Sequence, residues 1–280
     1  MLSRRPSSRT ARRVADVLVV AACVAACDQR PKNAELQADA HAELARDAFQ
    51  RGDVRLALDE AQQAVAFDES NARAHQLATA ALLALCAGDD GLSSADCRVE
   101  RAEGHARDAM KLDPSDRNAR NTLGSILLLP GTRGSEAIAV LEPLTQDPAY
   151  ASAHLAWANY GWAKLQVGDK PAAIEALRRA VRYPRFCVGW YRLAVAYDAD
   201  GQPIEAEAAA SRAVGEDSPA CQALQEAWRL RGELRTRRGK PVDAARDRET
   251  CERLAPTTSA GKTCAKLRAT LHDATAVRPS

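Results

Sequence analysis

Aromatic residues and extended apolar segments are scarce in this chain. Phe, Trp and Tyr make up only 4% of its 280 residues, and no extended run alternates apolar with polar residues as a β-strand would. Gly and Pro stand mainly between segments that have helical periodicity. The absence of strand patterns excludes a sheet-based fold, and we therefore expect an all-α protein.

Catalytic and metal-binding motifs are absent as well. The sequence contains no GxSxG, HExxH, Walker loop or GxGxxG, and its five histidines are scattered along it. No CxxC or paired Cys/His spacing predicts a zinc site, and residues 89–91 (DDG) lack the alternating acids of a calcium loop. We expect no enzymatic activity, no metal, no cofactor and no small-molecule substrate.

The charge balance argues against nucleic acid as a partner. The whole chain has a net charge of +2, but residues 1–26 contribute five arginines and a single aspartate to it. The remaining residues therefore carry a net charge of about −2, whereas proteins that bind nucleic acid are usually basic.

The first 26 residues are organised like an export signal. Residues 1–13 are rich in Arg and Ser and contain no acid, and residues 14–26 are apolar apart from Asp16. A charged segment, a short apolar segment and small residues before a cleavage point are typical of a signal peptide. The apolar run is too short for a membrane-spanning helix, which needs about 20 residues.

The small residues before Cys27 (VAA) resemble the lipobox of bacterial lipoproteins, in which the Cys becomes the lipidated N-terminus. Cys23 follows an identical VAA, but its use would leave only residues 17–22 as the apolar segment, so we favour Cys27. The alternative is an ordinary cleaved signal with an incidental Cys. The resemblance implies a lipid anchor on the periplasmic face of the outer membrane of a Gram-negative bacterium. Asp28 makes the inner membrane an alternative, and residues 27–37 are expected to form a tether.

A unit of about 34 residues recurs through the rest of the chain. Counted from Gly168, Trp157 lies 11 residues before, Gly161 lies 7 before, Ala173 lies 5 after and Ala180 lies 12 after. Three other glycines have comparable residues at the same four offsets. From Gly201 the offsets fall on Trp190, Ala194, Ala206 and Ala213, and from Gly239 they fall on Trp228, Gly232, Ala244 and Cys251. From Gly52 they fall on His41, Ala45, Ala57 and Ala64. This pattern resembles the tetratricopeptide repeat, in which a Gly turn joins two antiparallel helices that touch through small residues.

These repeats predict a solenoid, because one helix pair cannot bury its apolar face without neighbours. We expect about six repeats over residues 38–256 and a capping helix with a tail over residues 257–280. The second repeat is longer than the others, and its extra residues form a loop between Cys86 and Cys97.

Six cysteines lie outside the signal region, and an even number in an exported chain favours disulfides. Proximity in the sequence and position in the repeats rank three pairs first: Cys86–Cys97, Cys187–Cys221 and Cys251–Cys264. For Cys251 the alternative is a small core residue in an alanine position.

We expect the first helices of the repeats to line a groove that binds another protein. The face opposite the small-residue seam is apolar in the middle of the array and charged at its C-terminal end. The predicted partner-binding residues are Leu128, Leu155, Trp162, Leu165, Tyr191 and Val195. Trp162 is the most informative, because Trp157 already fills the structural aromatic position of that helix. Extra packing is the alternative role for Trp162.

The segment from Asn159 to Glu207 (NYGWAKLQVGDKPAAIEALRRAVRYPRFCVGWYRLAVAYDADGQPIEAE), with the lipobox and the late cysteines, resembles the type IV pilus pilotins, the Tgl-like lipoproteins of the PilF and PilW group. The resemblance implies an outer-membrane lipoprotein that binds secretin subunits and promotes their assembly into the pilus pore. The alternative is a repeat-containing scaffold lipoprotein of the envelope, in gliding motility or a cell-wall complex, with a different protein client.

Overall fold

The computed structural model describes residues 32–86, 96–129, 133–215 and 218–276. All regular secondary structure in these ranges is helical, which confirms the predicted all-α class. The signal segment, Cys27 and residues 87–95 of the loop between Cys86 and Cys97 lie outside the described residues. No helix within the described ranges has the length and apolar character needed to cross a membrane.

The helices are α1 (Lys32–Gln50), α2 (Val54–Phe67), α3 (Ala72–Leu85), α4 (Val99–Leu112), α5 (Arg117–Leu127), α6 (Gly134–Thr145), α7 (Ala153–Gln166), α8 (Lys170–Ala180), α9 (Cys187–Ala199), α10 (Pro203–Gly215), α11 (Pro219–Gln222), α12 (Gln225–Arg237), α13 (Pro241–Leu254) and α14 (Ser259–Ala276). Consecutive helices pack as antiparallel pairs, among them α7 with α8, α9 with α10 and α12 with α13, which form the fourth, fifth and sixth repeats. Helix α1 begins at Lys32, inside the segment expected to be a tether.

The chain forms two compact units, and their boundary between Ala78 and Thr79 falls within α3. In the first unit, two small clusters of buried alanines hold α1, α2 and α3 together: Ala42, Ala64 and Ala74, and Ala45, Ala61 and Ala78. In the second unit, a core cluster joins helices α7 to α10 and α12, with Leu177, Leu193 and Leu234 as its larger members. The many alanines therefore lie where the helices pack closely against each other.

Four of the predicted glycine turns have a left-handed backbone. The φ angles of Gly52, Gly168, Gly201 and Gly239 are +80°, +84°, +75° and +70°. After Gly168, the backbone N–H of Asp169 donates to the Lys164 carbonyl at 2.9 Å, and the other three turns repeat this hydrogen bond. This is the six-to-one bond of a Schellman cap, in which a residue with a Cβ is less stable than Gly.

Small residues allow the two helices of the fourth repeat to approach closely. A Cβ added to Gly161 would lie 2.7 Å from Leu177 Cγ and 3.1 Å from the Ala173 carbonyl oxygen. Ala173 and Ala180 on the facing helix are completely buried. A larger side chain at this seam would force α7 and α8 apart.

Three disulfides are present, with Cα–Cα distances of 4.5 Å for Cys86–Cys97, 5.4 Å for Cys187–Cys221 and 6.1 Å for Cys251–Cys264. They are the pairs that the sequence ranks first. Cys187 opens α9, but Cys221 lies in the one-turn helix α11, which the sequence did not predict, and not at the start of a first helix. Helix α14 packs on α13, as expected for a capping helix.

Candidate functional site: the first-helix face of the second unit

The residues predicted to bind a partner differ in exposure. Leu155 is 37% exposed, and Trp162 is partly exposed. Three others are partly buried against the core cluster: Leu165, Tyr191 and Val195. Leu128, the residue that ends α5, is only 6% exposed and offers almost no surface to a partner. We therefore define the first-helix face, on α7 and α9, by its exposed and partly exposed residues Leu155, Trp162, Leu165, Tyr191, Arg192 and Val195. The buried Asn159 belongs to it as the hydrogen-bond partner of Arg192, and Leu128 is left out.

A row of polar contacts joins the first helices of successive repeats. Asn159 on α7 donates to Asn121 on α5 at 3.1 Å and accepts a hydrogen bond from Arg192 on α9 at 2.7 Å. The Arg192 guanidinium also lies over the Trp162 ring, with Cζ 5.7 Å from the ring centroid. Arg192 thereby connects the polar row to the aromatic surface of the neighbouring helix.

The charge of Arg192 is only partly compensated. Burial lowers the pKa of Arg192 to about 10, so the side chain remains protonated at neutral pH. Its hydrogen-bond partner is an uncharged amide, and no carboxylate of the described residues lies within ion-pair distance of it. A desolvated cation without a carboxylate gains free energy when a ligand supplies one, or supplies a carbonyl oxygen.

The charged end of the face is neutralised within the protein. Arg229 on α12 donates to Glu226 at 2.8 Å and to Glu233 at 2.6 Å. Arg237 contacts both carboxylate oxygens of Asp198 on α9, at 2.7 and 2.8 Å. The Arg237–Asp198 pair joins α12 to α9, whereas both Arg229 pairs lie within α12. Together they leave little unpaired charge there for a partner.

Sequence reasoning identified Trp162 but missed Asn159 and Arg192. Both occupy the same place in successive repeats, because each lies nine residues before its turn glycine, Gly168 or Gly201. A comparison of polar residues by repeat position would have found the pair. The hydrogen bond between Arg192 and Asn159 and the desolvation of Arg192 depend on the distance between α7 and α9. The sequence of one repeat does not determine this distance.

The geometry suits binding of an extended or helical protein segment. Leu155, the exposed part of Trp162 and Val195 offer apolar contacts, and Arg192 between them offers guanidinium N–H donors. Within the described ranges, no three His, Cys, Asp or Glu side chains converge as a metal site would require. The face therefore combines an apolar surface with one partly buried cation.

No protein-family model and no curated protein matches the chain. Solved structures do match it. The crystal structure of a tetratricopeptide repeat protein from Parabacteroides merdae superposes with a TM-score of 0.64 at 16% identity, over 87% of this chain and 88% of that one. The chain has the tetratricopeptide-repeat fold.

Two further matches are the proteins PilW and PilF. The crystal structure of PilW, described as a widely conserved type IV pilus biogenesis factor, gives a TM-score of 0.65 at 18% identity, over 81% of this chain and 97% of PilW. The PilF structure from Pseudomonas aeruginosa gives 0.59 at 20% identity, over 83% of this chain and 98% of PilF. At these identities the similarity is one of fold.

Proposed function

We propose that this chain is a type IV pilus pilotin, a lipid-anchored tetratricopeptide-repeat protein that binds secretin subunits and promotes their assembly. The observation that carries the proposal is the first-helix face, where the incompletely paired Arg192 lies over the Trp162 ring. The sequence resemblance over residues 159–207 supports binding of secretin subunits, and the similarity in fold to the pilus biogenesis factor PilW supports a role in pilus biogenesis.

Binding would need no covalent step. An apolar segment of a secretin monomer would lie against Leu155, Trp162 and Val195, and a carbonyl or carboxylate oxygen of the segment would accept hydrogen bonds from Arg192. Occupation of the face would shield the apolar segment until the secretin ring closes.

The anchor is the second component of the proposal. Lipidation of Cys27 would hold the repeats at the periplasmic face of the outer membrane, since two or more acyl chains give durable membrane attachment. Confinement to the same membrane raises the local concentration of the binding face near the secretin subunits. The three disulfides are in keeping with a location outside the cytoplasm.

The test is deletion of the gene in the native bacterium, followed by gel analysis of the pilus secretin. We expect heat- and detergent-resistant secretin multimers to disappear while the monomer persists. The wild-type gene should restore the multimers, and the Cys27→Ser and Trp162→Ala variants should restore them poorly. Unchanged multimers in the deletion strain would reject the pilotin role and favour an envelope scaffold with another client.

A further inference from the structure

A second surface of the fourth and fifth repeats carries arginines and aromatic rings. It lies on the second helices, α8 and α10, and on the turn after α8 that contains Arg182, and it does not include the first-helix face. We call it the second-helix arginine cluster, and its arginines are Arg178, Arg179, Arg182 and Arg212. The proposed pilotin function makes no use of these residues.

Two cavities meet at this cluster. One, of about 460 Å³, is lined by Arg178, Arg182, Trp190, Tyr197, Glu205 and Arg212. The other, of about 560 Å³, is lined by His154, Trp157, Arg179, Arg182 and Tyr183. Arg182 lines both cavities, so a single ligand chain could occupy the two in succession.

Aromatic rings hold three of the guanidinium groups in place. Arg179 Cζ lies 4.6 Å from the Trp157 ring centroid, and Arg212 Cζ lies 5.5 Å from that of Trp190. Arg178 donates to the Tyr197 hydroxyl at 2.8 Å. Stacking on a ring leaves the edge of a guanidinium free to donate hydrogen bonds, and it reduces the side-chain entropy lost when a ligand binds.

This arrangement follows the repeat. Trp157 and Trp190 lie 11 residues before their turn glycines, and Arg179 and Arg212 lie 11 residues after them. In the sixth repeat the corresponding positions hold Trp228 and Thr250, and the arginine over the Trp228 ring is Arg231, with Cζ 4.6 Å from the ring centroid.

The charge of the cluster is mostly unpaired. Arg179 pairs with the exposed Glu175 at 2.6 Å, but among the described residues no carboxylate lies within ion-pair distance of Arg178, Arg182 or Arg212. The sixth repeat behaves differently, since Arg231 and Arg235 both contact Asp247. Positive charge is therefore concentrated beside the two cavities.

We propose that the second-helix arginine cluster binds an acidic segment of a partner protein. Charge complementarity favours a carboxylate-bearing ligand, and the aromatic walls favour apolar side chains between the carboxylates. The arginines border cavities that a narrow peptide can enter and a flat membrane surface cannot. Glu175 and Glu205 lie beside the arginines and would repel a continuous anionic membrane surface. This second binding surface does not depend on the identity of the client on the first-helix face.

The test is fluorescence anisotropy with the purified full chain and a fluorescein-labelled decapeptide of alternating glutamate and phenylalanine. A peptide with glutamine in place of glutamate is the charge control. Arg182→Glu and the milder Arg182→Gln test the cluster, and Arg51→Glu, an exposed arginine of the first unit, makes the same charge change elsewhere. Circular dichroism verifies the fold of each variant.

We expect the wild type to bind the acidic peptide saturably and to bind the glutamine peptide at least tenfold more weakly. The Arg182→Glu variant should bind the acidic peptide at least tenfold more weakly than the wild type, and Arg51→Glu should have little effect. Equal losses in the Arg182→Glu and Arg51→Glu variants would overturn the proposal, because they would show unspecific charge attraction. Equal binding of both peptides would also overturn it. So would binding of phosphatidylglycerol vesicles without binding of the peptide, since the ligand would then be a lipid surface.

Discussion

The guanidinium of Arg192 lies over the indole of Trp162, with Cζ 5.7 Å from the ring centroid. The two residues belong to successive first helices, α9 and α7, so their contact depends on correct stacking of the fourth and fifth repeats. It places a desolvated cation beside an apolar surface. Substitutions at neighbouring positions of α7 should therefore have different effects on the free energy of unfolding and on the affinity for a partner.

Trp162 and Leu165 should differ in their effect on stability. Leu165 contacts the core cluster, whereas Trp162 is not among the described residues that do. We expect Leu165→Ala to lower the free energy of unfolding by about 2 kcal/mol. Trp162→Ala should cost less, about 1 kcal/mol, mainly through the lost contact with Arg192. Urea denaturation measures both, and an equal or larger loss in Trp162→Ala would assign this Trp to the core.

Two glycines of the fourth repeat provide a test of the packing. Gly168→Ala introduces a Cβ with no atom within 4 Å, so its cost is only that of the left-handed backbone, about 1 kcal/mol. Gly161→Ala places its Cβ against Leu177 and the Ala173 carbonyl, and we expect a loss of about 3 kcal/mol. Thermal unfolding should rank the variants in this order. A reversed order would show that α7 and α8 are not packed as closely as described.

The disulfide Cys187–Cys221 links the start of α9 to α11 and should stabilise the folded protein. It closes a loop with a sequence separation of 34 residues, and the loss of this constraint on the unfolded chain is worth about 2–4 kcal/mol. The Cys187→Ala/Cys221→Ala variant should therefore unfold at a lower denaturant concentration. Wild-type protein without reductant is the reference. An unchanged midpoint, or free thiols at both positions in the wild-type protein, would contradict this expectation.

Glu207 should make stability depend on pH. Burial raises the pKa of Glu207, but hydrogen bonds from Lys240 and Arg235, with the charges of Lys240 and Arg238, outweigh burial and hold the pKa below its ordinary value of 4.5. The unfolded chain thus binds this proton more readily than the folded chain. The stabilisation is present above about pH 4.5 and is lost as the pH falls through the lower folded-state pKa.

The Glu207→Gln variant isolates this effect. At pH 7 it should be less stable than the wild type by about 1–3 kcal/mol, because Arg235, Arg238 and Lys240 lose a charged partner. The difference should shrink as the pH falls through the lowered pKa of Glu207, because the wild-type carboxyl then also becomes neutral. Denaturation at a series of pH values measures the difference, and a constant gap across the range would exclude Glu207 as its source.

Much of the fold could be predicted from local signals. The offsets of Trp157, Gly161 and Ala173 from Gly168 predicted a helix pair, and the left-handed φ of that glycine shows why the first helix ends there. The six cysteines were ranked into the same pairs that the structure contains. These features were predictable because each depends on residues close in sequence or on the repeat itself.

The candidate sites were less predictable. Leu128 has the periodicity of a groove residue but is buried at the end of α5, and Cys221 lies in an additional helical turn after α10. Asn159, Arg192 and the second-helix arginines acquire their roles only through contacts between repeats. A helical projection of one repeat shows which face a residue occupies, but it does not show how much of that face a neighbour covers.

The most direct test of the proposed function is binding of the native pilus secretin subunit to the purified chain, measured by titration with the wild type and two variants. We predict that Trp162→Ala weakens binding at least tenfold, while Val242→Ala, an exposed apolar residue of α13, binds like the wild type. Wild-type affinity in the Trp162→Ala variant, or no binding of the secretin subunit by the wild type, would contradict the account.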